Sequence, residues 1–223
     1  MPVTKMKKIS SLIIPFIALC SCNNESDNSE IKSEIIQESS SEYIENPKVK
    51  IVLSNEMEIN LELYPKIAPI TVENFLNLVD ENYYDGVIFH RVIENFMIQT
   101  GGFFVDGTTI YDKEKRESIF GEFSANGFEN SLKHEAGVIS MARTKEYNSA
   151  SNQFFICSVD YLSLDGNYAA FGKVIDEQSL ANVIEISKVE TINIGYGFTN
   201  FPAEVISIET ILRMDNTKEW HIN

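Results

Sequence analysis

Apolar and polar residues alternate through residues 48–53 and again through 57–63. A period of two puts alternate side chains on one face of a strand, and Ser54-Asn55-Glu56 between the runs predicts a hairpin. Pro65 and Pro69 break the alternation. Val72, Phe75, Leu76 and Val79 then recur at helical spacing, which predicts a helix over residues 70–80 with Pro69 in its first turn. Residues 82–86 read as a turn. Two short strands follow around Glu94-Asn95. Residues 103–122, with Asp106-Gly107 and a mixed-charge run, are expected to be a surface loop region. Strands are predicted over 138–142, 153–158 and 171–174, with a polar loop at 145–152. Leu180, Val183, Ile184 and Ser187 lie along one side of a second helix over 179–188, and a closing strand is expected over 204–211. Many short strands with two separated helices suggest a mostly antiparallel closed sheet, and spacing alone fits a sandwich equally well.

The N-terminus follows a different pattern. Lys5, Lys7 and Lys8 precede an apolar run from Ile9 to Leu19 that Pro15 interrupts. That run is well short of the ~20 residues needed to span a bilayer, so residues 1–21 read as a targeting segment outside the fold. Leu19-Cys20-Ser21-Cys22 resembles a bacterial lipoprotein signal. Cys22 has the aliphatic residue three before it and the small residue just before it, so Cys22 is the expected lipidation site. Residues 22–46 are rich in Ser, Asn and Glu, with seven acidic residues against the single Lys32. Low hydrophobicity and high charge predict a disordered tether whose self-repulsion helps to extend it. The folded domain is expected over 47–223.

Composition narrows the classes. Of 223 residues, 43% are apolar, enough for a packed core. A net charge of −15 with no Lys/Arg cluster beyond residue 8 argues against nucleic-acid binding. Cys157 sits in an apolar run and reads as a buried small hydrophobe. His134 and His221 give no metal spacing, so no metal is expected.

The chemistry concentrates in residues 89–102, Phe-His-Arg-Val-Ile-Glu-Asn-Phe-Met-Ile-Gln-Thr-Gly-Gly. On a strand register Arg91 and Gln99 stand on one surface, with Phe96 and Met97 beside them. A planar cationic fork, an amide and an apolar floor suit a site that grips a peptide. No Ser-His-Asp or Cys-His arrangement for hydrolysing one is visible in this stretch. His90 is read as a strand residue facing away from Arg91.

This stretch closely resembles the signature of the cyclophilins, the cyclosporin-binding class of peptidyl-prolyl cis-trans isomerases. Gly137-Val138-Ile139-Ser140-Met141-Ala142-Arg143, Asn152-Gln153-Phe154-Phe155-Ile156, Leu164-Asp165-Gly166 and Phe171-Gly172-Lys173-Val174 extend the match in order over about residues 48–208. The resemblance implies a mostly β fold, a closed eight-stranded antiparallel barrel with a helix over each open end, and a substrate groove on the outside of a packed barrel.

It further implies acceleration of X-Pro bond rotation in proline-containing polypeptides, with no cofactor because no bond is broken. Arg91 matches the catalytic arginine. Phe96, Met97, Phe155 and Leu164 match the proline pocket, Gln99 the residue that orders the arginine and the substrate backbone, and Ala142 and Arg143 the strand along which the peptide lies. Tyr168 stands where the family has a pocket histidine, and Ser163 where it has its drug-binding tryptophan. Thr100 separates Gln99 from the glycine pair. The expected protein is a monomeric, lipid-anchored, extracytoplasmic bacterial isomerase that assists folding. Two rivals are a non-catalytic proline-peptide binding module or holdase, and a hollow small-molecule-binding barrel of lipocalin type.

Overall fold

A computed structural model of the chain describes residues 45–214. The expected signal segment, Cys22 and all but the last two residues of the tether lie outside the described residues, as does His221. In chain order the elements are β1 (Lys48–Leu53), β2 (Glu58–Leu63), α1 (Pro69–Asp80), β3 (Arg91–Ile93), β4 (Met97–Thr100), β5 (Phe103–Asp106) and β6 (Thr109–Asp112). They continue with β7 (Val138–Met141), β8 (Phe154–Cys157), β9 (Ala170–Val174), α2 (Glu177–Ser187), β10 (Thr191–Ile192), β11 (Phe201–Pro202) and β12 (Ile208–Arg213).

Eight strands form one antiparallel sheet in the order β12-β1-β2-β9-β7-β8-β4-β3. The closed barrel expected from the sequence is not found: the sheet is an open half-barrel with β12 and β3 as its edges. Residues just before β3 reach across with a few bonds, Phe89 N–H to the Ile206 carbonyl at 2.9 Å and Ile208 N–H to the Val87 carbonyl at 2.8 Å. The reason lies in β3. It is three residues long, and its Val92 N–H donates to the Asn200 carbonyl at 2.9 Å. The segment leading into β11 therefore occupies the edge that a closed barrel would give to β12.

The alternation of β1 and β2 is fully expressed. Val49, Ile51, Leu53, Ile59, Leu61 and Leu63 are completely buried, while their neighbours are at least partly exposed. They share one core with Val92, Ile98, Ile139, Met141, Phe154, Ile156 and Phe171. Helix α1 drives Phe75 into that core, with its ring 5.5 Å edge-on to Phe154 and 5.4 Å from Phe171. Burying one such side chain stabilises the fold by about 1.5–3 kcal/mol. An interior filled in this way leaves no room for a small molecule, which removes the hollow-barrel rival.

The start of α1 is completed from far along the chain. Ala68 at the N-cap offers no side-chain bond. Instead the fully buried Glu122 accepts from Ile70 N–H at 3.0 Å, Thr71 N–H at 2.8 Å and Thr71 Oγ1 at 2.7 Å. A carboxylate at this end satisfies otherwise unpaired N–H groups and faces the positive end of the helix dipole. Helix α2 is capped locally by Asp176, which accepts from Ser179 N–H at 2.7 Å.

Part of the expected loop at 103–122 is a hairpin. β5 and β6 pair around a two-residue loop, Gly107-Thr108, with Gly107 at φ +60°. A glycine at that position suits a mirror-image hairpin turn. Neither strand has a fully buried residue, so the in-and-out alternation that marks core strands is missing here. The closing strand starts at Ile208 rather than 204, because the Ile206 and Ser207 carbonyls bond to Phe89 and Ser54 instead.

Candidate active site

Cross-strand register builds the site on the outer face of the half-barrel. Arg91 pairs with Gln99, Gln99 with Phe155, and Phe155 with Ser140, one row across β3, β4, β8 and β7. Two residues along β4, Met97 takes the same face opposite Cys157. These positions form a second apolar cluster, separate from the barrel core: Met97, Phe155 and Cys157, with Phe96, Ala142, Leu164 and Tyr168 packed against them. The β3–β4 turn that carries Phe96 needs a left-handed residue, and Asn95 supplies it at φ +56°, a conformation asparagine tolerates better than most residues.

One cavity of about 100 Å³ opens on this face. Arg91, Phe96, Met97, Gln99, Ala142, Arg143, Phe155, Leu164 and Tyr168 line it. The structure thus gathers all nine residues singled out in the domain sequence around one hollow. Met97 and Phe155 are buried and form the floor. Tyr168 meets Phe155 edge-on at 5.8 Å, and Phe96 packs on Tyr161 at 4.3 Å.

Arg91 is held by its side chain's neighbours rather than by an acid. Its Nη1 donates to Gln99 Oε1 at 3.2 Å, and Gln99 Nε2 donates to Gln153 Oε1 at 3.0 Å. Among the described residues it forms no ion pair. One donor is engaged of the five that a guanidinium carries, and the rest remain for a ligand. Burial lowers the Arg91 pKa, with Tyr168 acting against it, and the group stays charged at usable pH.

Arg143 is committed differently. Its guanidinium lies 4.8 to 5.2 Å from the rings of Phe123, Tyr147 and Tyr168, and it donates to the Asn167 and Thr144 carbonyls at 2.9 Å each. It is a caged wall of the cavity, and what it offers a peptide is its flat edge and charge.

Beneath Phe155 lies an arrangement that the sequence did not suggest. Asp165 Oδ1 accepts from His134 N–H at 2.8 Å and faces His134 Nδ1 at 3.0 Å, and His134 Nε2 meets Ser140 Oγ at 3.0 Å. The His134 ring stacks on Phe155 with an interplanar angle of 17°. Asp165 reads in sequence as part of a turn, and His134 stands 31 residues away from it, so no local pattern announces the pair. The chain resembles a hydrolase relay, but Ser140 is completely buried and its hydroxyl meets no substrate. Burial is the largest influence on His134 and lowers its pKa against the pull of Asp165, so the ring is neutral. For Asp165, burial works upward, but the His134 N–H groups and Lys133 outweigh it and hold the carboxyl below its usual range.

Two other candidates are inert. Burial, with Asp165 and Asp160 nearby, pushes the Cys157 thiol up to about 12, so no thiolate forms at neutral pH. Burial pushes His90 down to about 4, so it is neutral too. No group of three or more His, Cys, Asp or Glu among the described residues could hold a metal ion.

The fold and the hollow define a peptide-binding half-barrel: an apolar pocket for one compact side chain, with a positioned guanidinium at its rim. Residues 48–211 match the family described as cyclophilin type peptidyl-prolyl cis-trans isomerase/CLD. The chain is 39% identical over 157 residues to peptidyl-prolyl cis-trans isomerase A of Dickeya dadantii, covering 68% of this chain and 77% of the relative. It is 38% identical over 161 residues to a peptidyl-prolyl cis-trans isomerase of Acinetobacter baylyi, covering 70% and 81%. A crystal structure of a Cryptosporidium parvum cyclophilin, determined in the presence of the dipeptide Ala-Pro, superposes with a TM-score of 0.60 at 27% identity, covering 76% of this chain and 99% of that one. The chain belongs to the cyclophilin-type peptidyl-prolyl cis-trans isomerase family, and it is an enzyme of that activity.

Proposed function

We propose that Arg91 is the catalytic group and that the cavity around it seats the proline of an extracytoplasmic polypeptide whose folding the enzyme assists. Rotation about an X-Pro bond is slow because the twisted amide loses its resonance, a barrier of about 18–20 kcal/mol. An enzyme accelerates it by binding the twisted form more tightly than either planar one. As the amide twists, the proline nitrogen becomes pyramidal and gains a localised lone pair. The N–H groups of Arg91 not engaged by Gln99 are donors for that lone pair and for the neighbouring carbonyl. Met97, Phe155, Phe96 and Leu164 hold the pyrrolidine ring and exclude water, which strengthens a charge acting at close range. Gln99 fixes the guanidinium, Ala142 and Arg143 border the substrate backbone, and Tyr168 closes the pocket.

The observation that carries this reading is the gathering of the guanidinium and the apolar floor around one hollow. The test is the isomerisation rate of a proline peptide with Arg91→Ala, in which a loss of less than tenfold in a folded variant counts against the assignment.

The cellular part rests on the N-terminal sequence. The basic start, the short apolar run and the Leu19-Cys20-Ser21-Cys22 tail support a lipid anchor on Cys22. A diacyl group there supplies the two chains that stable anchoring takes, and the acidic tether holds a monomeric domain off an extracytoplasmic membrane surface. Fractionation of cells making Cys22→Ser tests it: the protein should leave the membrane fraction or remain unprocessed, whereas Cys20→Ser should do neither. A Cys22→Ser protein that stays lipidated overturns the proposal.

A further inference from the structure

The apolar lining of the proline cavity does not end at Phe96. Beyond it the Tyr161 ring packs against Phe96 at 4.3 Å between centroids, tilted by 44°. The Tyr161 backbone is pinned on both sides. Its N–H donates to the His134 carbonyl at 2.7 Å, and its carbonyl accepts from Leu164 N–H at 3.1 Å. The second bond closes a single 3₁₀ turn, Leu162–Leu164. In such a turn side chains three residues apart eclipse, so Tyr161 shares a face with Leu164, which lines the cavity. Two cavity residues, Phe96 and Leu164, thus lead onto the same exterior ring.

That ring is fixed in place but poorly covered. Tyr161 is 40% exposed, and Phe96 is partly exposed beside it. Leu162 is more exposed still, at 57%, but it stands a third of a turn away from Tyr161 and belongs to another face. Exposure alone therefore does not single out Tyr161; its continuity with the cavity does.

Strand register places this shelf at the opposite end of the cavity from Ala142. Ala142 N–H donates to the Gln153 carbonyl at 2.9 Å, and Ser158 N–H donates to the Phe96 carbonyl at 3.0 Å. Gln153 and Ser158 flank β8 at its two ends, about 17 Å apart along an extended strand. Phe155 and its partner Gln99 stand between them. A polypeptide that runs along Ala142 and Arg143 on one side of its proline leaves the cavity over Phe96 on the other. At ~3.3–3.6 Å per residue, its first or second residue beyond the proline reaches Tyr161.

We propose that Tyr161 and Phe96 form a specificity shelf that takes a large apolar side chain, such as leucine or phenylalanine, on one of those two residues. The inference rests on the reading that the cavity seats the proline. The shelf touches a side chain and not the rotating bond. It binds planar and twisted substrate alike, so it lowers KM and leaves kcat nearly unchanged.

The experiment uses peptides with a single proline in which phenylalanine, leucine or alanine stands at each of the two positions before it and the two after. Exchange by NMR gives kcat and KM for each. On one side of the proline, phenylalanine and leucine should have a KM about three- to tenfold below that of alanine, what half-burying one large apolar side chain supplies. That ratio should fall to about one in Tyr161→Ala and persist in Tyr161→Phe and in Leu162→Ala. In the complex with the unmodified protein, NOEs should join the Tyr161 ring to the leucine methyls at the preferred position. Equal KM for all three residues at every position overturns the shelf, and so does a preference that survives in Tyr161→Ala or is lost in Leu162→Ala. A leucine peptide that shows no NOE to Tyr161 at any position also overturns it, and this measurement needs no variant, so a misfolded Tyr161→Ala does not weaken the test. NOEs from the proline ring to Met97 and Phe155 report separately on the cavity. Their absence counts against the seating of the proline, while their presence without contacts to Tyr161 counts against the shelf alone.

Discussion

Arg91 and Gln99 stand directly opposite each other on β3 and β4, and the guanidinium reaches the amide across that pair at 3.2 Å. The partner is neutral, so the arginine is positioned without its charge being cancelled. A carboxylate in the same place would hold the side chain as firmly but would compete with the substrate for its donors.

The rate should therefore depend on Arg91 and not on a titrating group. Arg91→Ala is expected to lower kcat/KM by roughly 10²–10³, the loss typical of one preorganised donor. Arg91→Lys should recover little, because a flexible point charge cannot copy the planar fork. Between about pH 6 and 9 the profile should be flat, since His90 titrates at about 4 and arginine does not titrate there. A peptide isomerisation assay across that range checks all three, and an inflection near the ordinary imidazole value of ~6.5 would transfer the catalytic role to a histidine.

His90 should appear in stability instead. Its pKa is about 4 in the folded protein and ~6.5 in an unfolded chain. Between those values the unfolded state binds the extra proton, so stability falls as pH drops from about 6.5 to about 4, and this contribution is flat below. The shift corresponds to a loss on the order of 3 kcal/mol. His134, whose pKa is also lowered, acts in the same direction. Urea unfolding at a series of pH values should give a shallower slope in His90→Phe, and an unchanged slope would contradict the burial of this ring.

Glu122→Gln should destabilise the protein while leaving the proline cavity lined as before. The variant keeps an acceptor for one helix N–H but loses the charge and the paired geometry at Ile70 and Thr71. A loss of about 0.5–2 kcal/mol is expected, the range for losing a cap. Thermal melting measures it, and a melting temperature equal to that of the unmodified protein would refute the capping role.

Cys157 should resist alkylation. It is completely buried, with its thiol pushed up to about 12. Peptide mapping after iodoacetamide at pH 8 should find it unmodified in the native protein and fully modified in denaturant. Native labelling at the rate of a free thiol would mean that the pocket floor opens readily.

What could be read from the chain follows from how each feature is encoded. The core strands were legible because Val49 to Leu63 alternate against a single buried face, and α1 because its apolar residues recur with a helical period. Strand register brings Arg91, Gln99, Phe96 and Met97 together, whereas Ala142, Arg143, Phe155, Leu164 and Tyr168 join them only through the resemblance to the cyclophilins. The β5–β6 hairpin was missed because neither strand faces a core, although Asp106-Gly107 between two β-prone runs carried a turn signal. The openness of the sheet was not legible, since it depends on where one N–H of Val92 goes. The Asp165–His134–Ser140 chain and the Glu122 cap join residues far apart in sequence, where no periodicity operates.

The pairing of β1 with β12 has a consequence for how the molecule comes into being. Val49 lies against Arg213, and Ile51 against Ile211, so the first strand of the sheet finds its outer neighbour only in the last. Contacts at such separation are slow to form, because a long loop must close before they reward it. A chain that emerges N-terminus first cannot finish its sheet until β12, which ends at Arg213, has emerged as well. Up to that moment β1 has β2 along one side and an unpaired edge along the other. An open strand edge is a template for pairing with another chain, so the arrival of β12 also covers a flank open to mispairing.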